Sequence, residues 1–200
     1  MVIQASDPAA GQPRLNPNYT RILEAVLYVI ETAERSGKSA TQYEIGKTLF
    51  LADLRHLQEY GRPITFDNYT AMKDGPVPSA SYDMLKPSFN WASLGLDGPL
   101  WIRRKAARGG ANAYEYVRPS RSANLNKLSQ TDLNELASAL SQVQKMGFYG
   151  TRDYTHRIPA YKKAWENRGG ADARDMDLRE LLPDFDEELI ENLEYASKHA

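Results

Sequence analysis

Residues 41–61 read Thr-Gln-Tyr-Glu-Ile-Gly-Lys-Thr-Leu-Phe-Leu-Ala-Asp-Leu-Arg-His-Leu-Gln-Glu-Tyr-Gly, and this stretch decides the fold. Thr41 and Glu44 stand at capping-box spacing, so each can satisfy an orphan backbone N–H at a helix start. Ile45, Leu49, Ala52 and His56 then share one face, and Phe50, Leu51, Leu54 and Leu57 an adjoining one. A helix apolar over so wide an arc has neighbours on several sides, so it is expected at the centre of the domain. Gly61 and Pro63 end it.

Toward the N-terminus, Ile22, Val26, Val29, Ile30 and Ala33 recur at helical spacing after Asn18, and Gly37 closes that helix. Residues 1–16 are rich in Ala, Gly, Pro and Gln without periodicity and read as a loose arm. Toward the C-terminus, Ile64-Thr65-Phe66 and residues 69–72 flank Asp67-Asn68, which predicts a small hairpin. Gly75-Pro76-Val77-Pro78 reads as rigid chain opening a short helix over 79–86. Residues 88–98 read as a loop. Residues 100–105 and 113–117 read as two strands about Gly109-Gly110. A helix is expected over 130–146, capped by Ser129 or Thr131, with further helices over 159–167, 177–182 and from Asp184, the last burying Phe185, Leu189 and Leu193. The sum is an α+β fold, predominantly α-helical, in a single compact domain with one or two small antiparallel hairpins.

Composition bounds the function. The chain has 200 residues, 42% of them hydrophobic, and a formal net charge of -1. That balance gives no general pull toward nucleic acid or anionic lipid. Cysteine is absent, which removes disulfides, thiolate metal sites and cysteine nucleophiles. The start lacks the basic end and apolar run of a secretory signal, and no stretch reads as a membrane span, so a cytoplasmic protein is expected. His56, His156 and His199 have no second ligand at metal spacing, and no phosphate loop or nucleophile elbow is present. Neither a cofactor nor enzymatic activity is expected.

Three segments together resemble the Panacea domain of SocA-like, phage-associated antitoxins. The first is Lys47-Thr-Leu-Phe-Leu-Ala-Asp53, with Leu49 and Phe50 inside it, followed by His56-Leu57 and residues 60–64. The second is Tyr69-Thr-Ala-Met-Lys-Asp-Gly75-Pro76-Val77-Pro78, then Tyr82 and Leu85. The third is Thr155-His156 with Pro159-Ala160 and Ala164-Trp165. Thr48 stands where the family more often carries leucine, and Asp74 where an aromatic often precedes the Gly-Pro pair. The likeness implies a domain over 17–168, leaving 169–200 as an acidic helical extension packed on it. It implies an antitoxin of a type II toxin–antitoxin system, which neutralises a toxin encoded by the adjacent gene through direct contact. In one branch of the family it also implies delivery of the toxin to an ATP-dependent protease.

Each notable feature carries a structural and a functional reading. The Lys47–Asp53 stretch is mainly core, and Asp53, if buried, needs a backbone N–H or Lys47 as partner. Gly75–Pro78 is either a fixed turn or a preorganised binding loop. His156 is expected to hydrogen-bond within the fold near Asp153. Trp101, Arg103, Arg104, Tyr114 and Tyr116 interleave aromatics with arginine, which suits a solvated hairpin, a protein hot spot or, less well at this net charge, nucleic acid. A winged-helix DNA-binding regulator with this hairpin as its wing is the alternative; helix 79–86 lacks the side chains to read bases. The acidic residues from Asp172 to Glu194 read either as helix-start charges or as a face for a basic partner.

Overall fold

A computed structural model describes residues 11–107, 113–182 and 187–199. Among these residues, six α-helices and six short strands follow one another as α1 Tyr19–Arg35, β1 Ala40–Thr41, α2 Gln42–Tyr60, β2 Tyr69–Met72, β3 Gly75–Pro78, α3 Ser79–Met84, β4 Ile102–Lys105, β5 Tyr114–Val117, α4 Gln130–Thr155, α5 Pro159–Glu166, β6 Ala173–Asp175 and α6 Glu187–His199. The strands form two three-stranded antiparallel sheets, ordered β1-β5-β4 and β3-β2-β6. The α+β, mainly helical class read from the sequence is the class observed.

α2 lies at the centre, packed along α4 and flanked by α1 and β3. Its capping box is formed: Glu44 N–H donates to Thr41 Oγ1 and Thr41 N–H to the Glu44 carboxylate. Gly61 ends it in the left-handed conformation, at φ 72°. Ile45, Leu49, Phe50, Leu51, Ala52 and Leu57 are buried, as two adjoining apolar faces require. Asn18 caps α1, and Ile22, Val26, Val29, Ile30 and Ala33 face the core.

The hairpin expected about Asp67-Asn68 lies elsewhere. β2 pairs with β3, Tyr69 opposite Pro78 and Met72 opposite Gly75, so the turn is Lys73-Asp74. Phe66 takes φ 55°, which breaks the extended run read over 64–66. The amides of Ile64 and Thr65 donate to Asp53 rather than to a strand. Gly75–Pro78 is therefore strand rather than turn, and it forms a sheet edge, where proline's missing N–H is tolerated.

The helix read over 130–146 continues to Thr155 after a break at Gly147 (φ 65°, ψ -173°), and its start carries a second capping box between Ser129 and Asp132. β1, β6 and the helical turn after Gly147 had no counterpart in the sequence reading. Of the expected loose arm, residues 14–16 are docked: Leu15 is buried, Arg14 N–H donates to Glu194, and Asn16 N–H to Ser197. Residues 1–10, the Gly109-Gly110 turn, and Asp184 and Phe185 lie outside the described residues. Leu193 and Ile190 seat α6 on the core, while Leu189 is only half-buried.

Candidate functional site

The sequence motifs converge on the inside of the molecule. Asp53, on α2, is 1% exposed and accepts from the amides of Ile64 (2.8 Å) and Thr65 (3.0 Å) and from the hydroxyls of Thr65 and Tyr69, the latter at 2.6 Å. Burial pushes its carboxyl up, and these four donors pull against that shift. Its partners are thus backbone amides and hydroxyls, not Lys47. Asp67, read from the sequence as a turn residue, does the same for the next element: it takes the amides of Ala80 and Ser81 and the Ser81 hydroxyl, holding the start of α3. Burial pushes it up to about 6.

Lys47 is 2% exposed, and its Nζ donates to the carbonyl of Pro76, 2.6 Å away. Burial holds the ammonium down to about 7, although Asp74 nearby draws it up. Gly75 sits at φ 102° with Thr155 Oγ1 and Lys47 Nζ 2.7 and 2.8 Å from where a Cβ would stand. No side chain fits there, so this glycine lets the hairpin close onto α2 and the end of α4.

His156 does not bond to Asp153, which pairs with Arg152 instead. Its ring stacks on Tyr161 at 4.5 Å, Tyr161 stacks on Trp165, and Arg168 lies over Trp165 at 3.8 Å. The Tyr161 hydroxyl ties the stack to β2 through the carbonyl of Met72. His156 Nε2 is buried without a hydrogen-bond partner; burial, then the charges of Arg152 and Lys47, lowers its proton affinity. The other histidine-bearing feature is a clamp between helices. His56 Nε2, Arg21 and Arg62 converge on Asp132 at 3.0, 2.6 and 2.9 Å. Burial opposes that charge, but the His56 contact, the Ser129 amide and the two guanidinium groups hold the carboxyl well below the usual range.

The hairpin singled out as a partner surface divides in two. Trp101 is 6% exposed and Tyr116 is fully buried, with its hydroxyl donating to Leu85. Their rings continue a ladder from Phe89 and Trp91. These two residues are core, Trp101 just before β4 and Tyr116 within β5. Arg104 is exposed on the opposite face and ion-paired to Glu115, whereas Arg103 and Tyr114 share the face of Tyr116 and are half-buried, the Arg103 guanidinium 3.3 Å from the Tyr114 ring centroid. The acidic tail is partly neutralised: Asp175 pairs with Arg14, Glu180 with Lys163, and Asp177 and Glu187 with Arg179.

A different surface gathers exposed aromatics. Just past Gly147, Phe148 is 43% and Tyr149 71% exposed, and Tyr154, further along the same helical segment, is 42% exposed. Phe148 packs on Tyr43 (4.6 Å) and on Tyr149 (5.2 Å), and Arg152 lies 5.5 Å from the Tyr149 ring. The Tyr43 hydroxyl donates to the Phe148 carbonyl, which fixes the break against α2. The signal was present as Phe148-Tyr149 with Arg152 and Tyr154, but the sequence reading ended the helix at Met146 and took from this region only Thr155-His156.

Among the described residues no group of three or more His, Asp or Glu is placed to hold a metal ion, and no helix is long and apolar enough to cross a membrane. The class so defined is a helical α+β scaffold whose buried polar residues lock its elements together and which carries a cluster of exposed aromatics past Gly147. A family model described as "Antitoxin SocA-like, Panacea domain" matches residues 45–165, and the chain belongs to that family. No curated protein and no solved structure matches the chain.

Proposed function

We propose that this protein is the antitoxin of a type II toxin–antitoxin pair and neutralises a protein toxin, encoded by the adjacent gene, by direct contact. Membership of the SocA-like antitoxin family carries this reading. The geometry supports it from another side. Lys47, Asp53, Asp67 and Gly75–Pro78 spend their polar groups on one another and on the backbone, as a scaffold does. Phe148, Tyr149 and Arg152 instead stand outward as one cluster, of the residue types that dominate binding energy at protein interfaces. We assign the toxin contact to this cluster rather than to Trp101 and Tyr116, whose truncation would open the core. The protein acts in the cytoplasm, without a cofactor and without catalysis. Hand-over of the bound toxin to an ATP-dependent protease is a second step of the same proposal.

Co-expression tests it. The adjacent gene alone should arrest growth, this protein should restore growth, and the two should co-purify in fixed stoichiometry. A harmless neighbour, or one equally toxic in the presence of this protein, sinks the reading. Toxin half-life in cells with and without the protease tests the second step. The DNA-binding alternative draws little support: α3 has six residues and buries Ala80, Ser81 and Met84, leaving a short face for a groove.

A further inference from the structure

β4 is an outer strand of its sheet, and no strand lies beyond it among the described residues. Its register sets Ile102 opposite Val117, Arg103 opposite Tyr116 and Arg104 opposite Glu115. Ala106 N–H donates to the carbonyl of Ala113 at 3.0 Å. Hydrogen-bonded pairs alternate along an antiparallel ladder, so the pairs at 106, 104 and 102 are the bonded ones. Arg103 therefore turns its N–H and C=O away from β5, to the open edge.

The charge on this edge has one sign. Arg103, Arg104 and Lys105 are consecutive, with Arg104 paired to Glu115 and Arg103 and Lys105 both over the Tyr114 ring. Ile102, at 48% exposure, adds an apolar contact at one end. A second copy of this chain pairing antiparallel so that its own Arg103–Lys105 run overlaps this one would set cation against cation, which opposes self-association. A nucleic acid strand would satisfy the cations but has no alternating donors and acceptors for an exposed strand backbone.

We infer that β4 is a docking edge for an extended acidic segment of a partner protein, which adds to the sheet as a fourth strand. The segment's main chain bonds Arg103 N–H and C=O, and its carboxylates lie along the basic edge. This surface is separate from the aromatic cluster past Gly147, and it stands whether the segment belongs to a toxin or to another protein.

The test uses the full chain and a short blocked peptide of alternating valine and glutamate, with an alternating valine–lysine peptide and a dT oligonucleotide as the other arms. Amide NMR with hydrogen exchange reads the outcome in the wild-type protein. The acidic peptide should bind in a salt-sensitive manner and slow exchange of the Arg103 amide; the lysine peptide should do neither. Arg103→Ala keeps the outward N–H, and Arg103→Pro removes it without touching the ladder to β5. Arg103→Pro should bind the acidic peptide at least about tenfold more weakly than Arg103→Ala, the loss of one main-chain hydrogen bond or more. Unchanged exchange at Arg103 under saturating acidic peptide, equal affinities for the two variants, or tighter binding of the oligonucleotide than of the peptide would each overturn the inference.

Discussion

Lys47 on α2 donates to the carbonyl of Pro76 on β3 across 2.6 Å, with its ammonium shut away from solvent. This one bond ties the central helix to the Gly-Pro-Val-Pro strand, and Gly75 admits the lysine by having no side chain. Two sequence segments 29 residues apart meet here.

The tie predicts a pH dependence. Burial holds Lys47 near 7 in the folded protein, below the ordinary lysine value that the unfolded chain shows. Between those values the unfolded state binds more protons, so stability rises with pH and is lost as pH falls toward 7. Urea unfolding at about pH 7, 8 and 9 should show the wild type gaining stability relative to Lys47→Met, below the range where tyrosines titrate. Parallel curves for the two proteins would contradict the assignment.

Asp53→Asn should cost roughly 3 kcal/mol, because an amide cannot accept from four donors and its own NH2 then faces N–H groups. Tyr69→Phe, which removes one of those donors, should cost about 1 kcal/mol. Midpoints of chemical unfolding check both, and equal costs would mean that the carboxylate is not the hub.

Thr48 is fully buried and its hydroxyl has no hydrogen-bond partner. Thr48→Val keeps the shape and removes the stranded polar group, so it should stabilise by about 1 kcal/mol. Calorimetry should find the melting temperature raised by about 2–4 °C. A lower melting temperature would show that the hydroxyl is satisfied in solution.

Much of this architecture was legible in the sequence, for reasons that can be named. The boundaries of α1 and α2 followed from Asn18, the Thr41–Glu44 box and Gly61, all local signals. The hairpin was misplaced because Asp67 looks like a turn residue and instead caps α3 from a distance, while Asp74-Gly75, a true turn signal, was masked by the two prolines. Strands β1 and β6, two and three residues long, exist only through their pairing with distant segments and carry no pattern of their own. Among the residues chosen as a contact surface, Trp101 and Tyr116 failed because composition does not say which face of a strand looks inward. The Phe148-Tyr149 cluster escaped because a left-handed glycine, not apolar periodicity, creates it.

Separating scaffold from surface gives the next expectation. Leu49→Asp places a charge at a fully buried site on the central helix and should prevent folding. Phe148→Ala with Tyr149→Ala removes one partly and one largely exposed ring and should change stability by less than about 1 kcal/mol. Circular dichroism and thermal melts distinguish the two. A double variant that unfolds would show the rings to be structural.

The central claim is that a rigid scaffold silences a toxin through the outer patch beside Gly147. Titrating the purified toxin with wild-type protein and with the Phe148→Ala/Tyr149→Ala variant, in a calorimeter, tests it most directly. The account predicts stoichiometric binding by the wild type and at least about a hundredfold weaker binding by the folded variant, as two interface anchors of this kind would give. Equal affinity for the two proteins would contradict it.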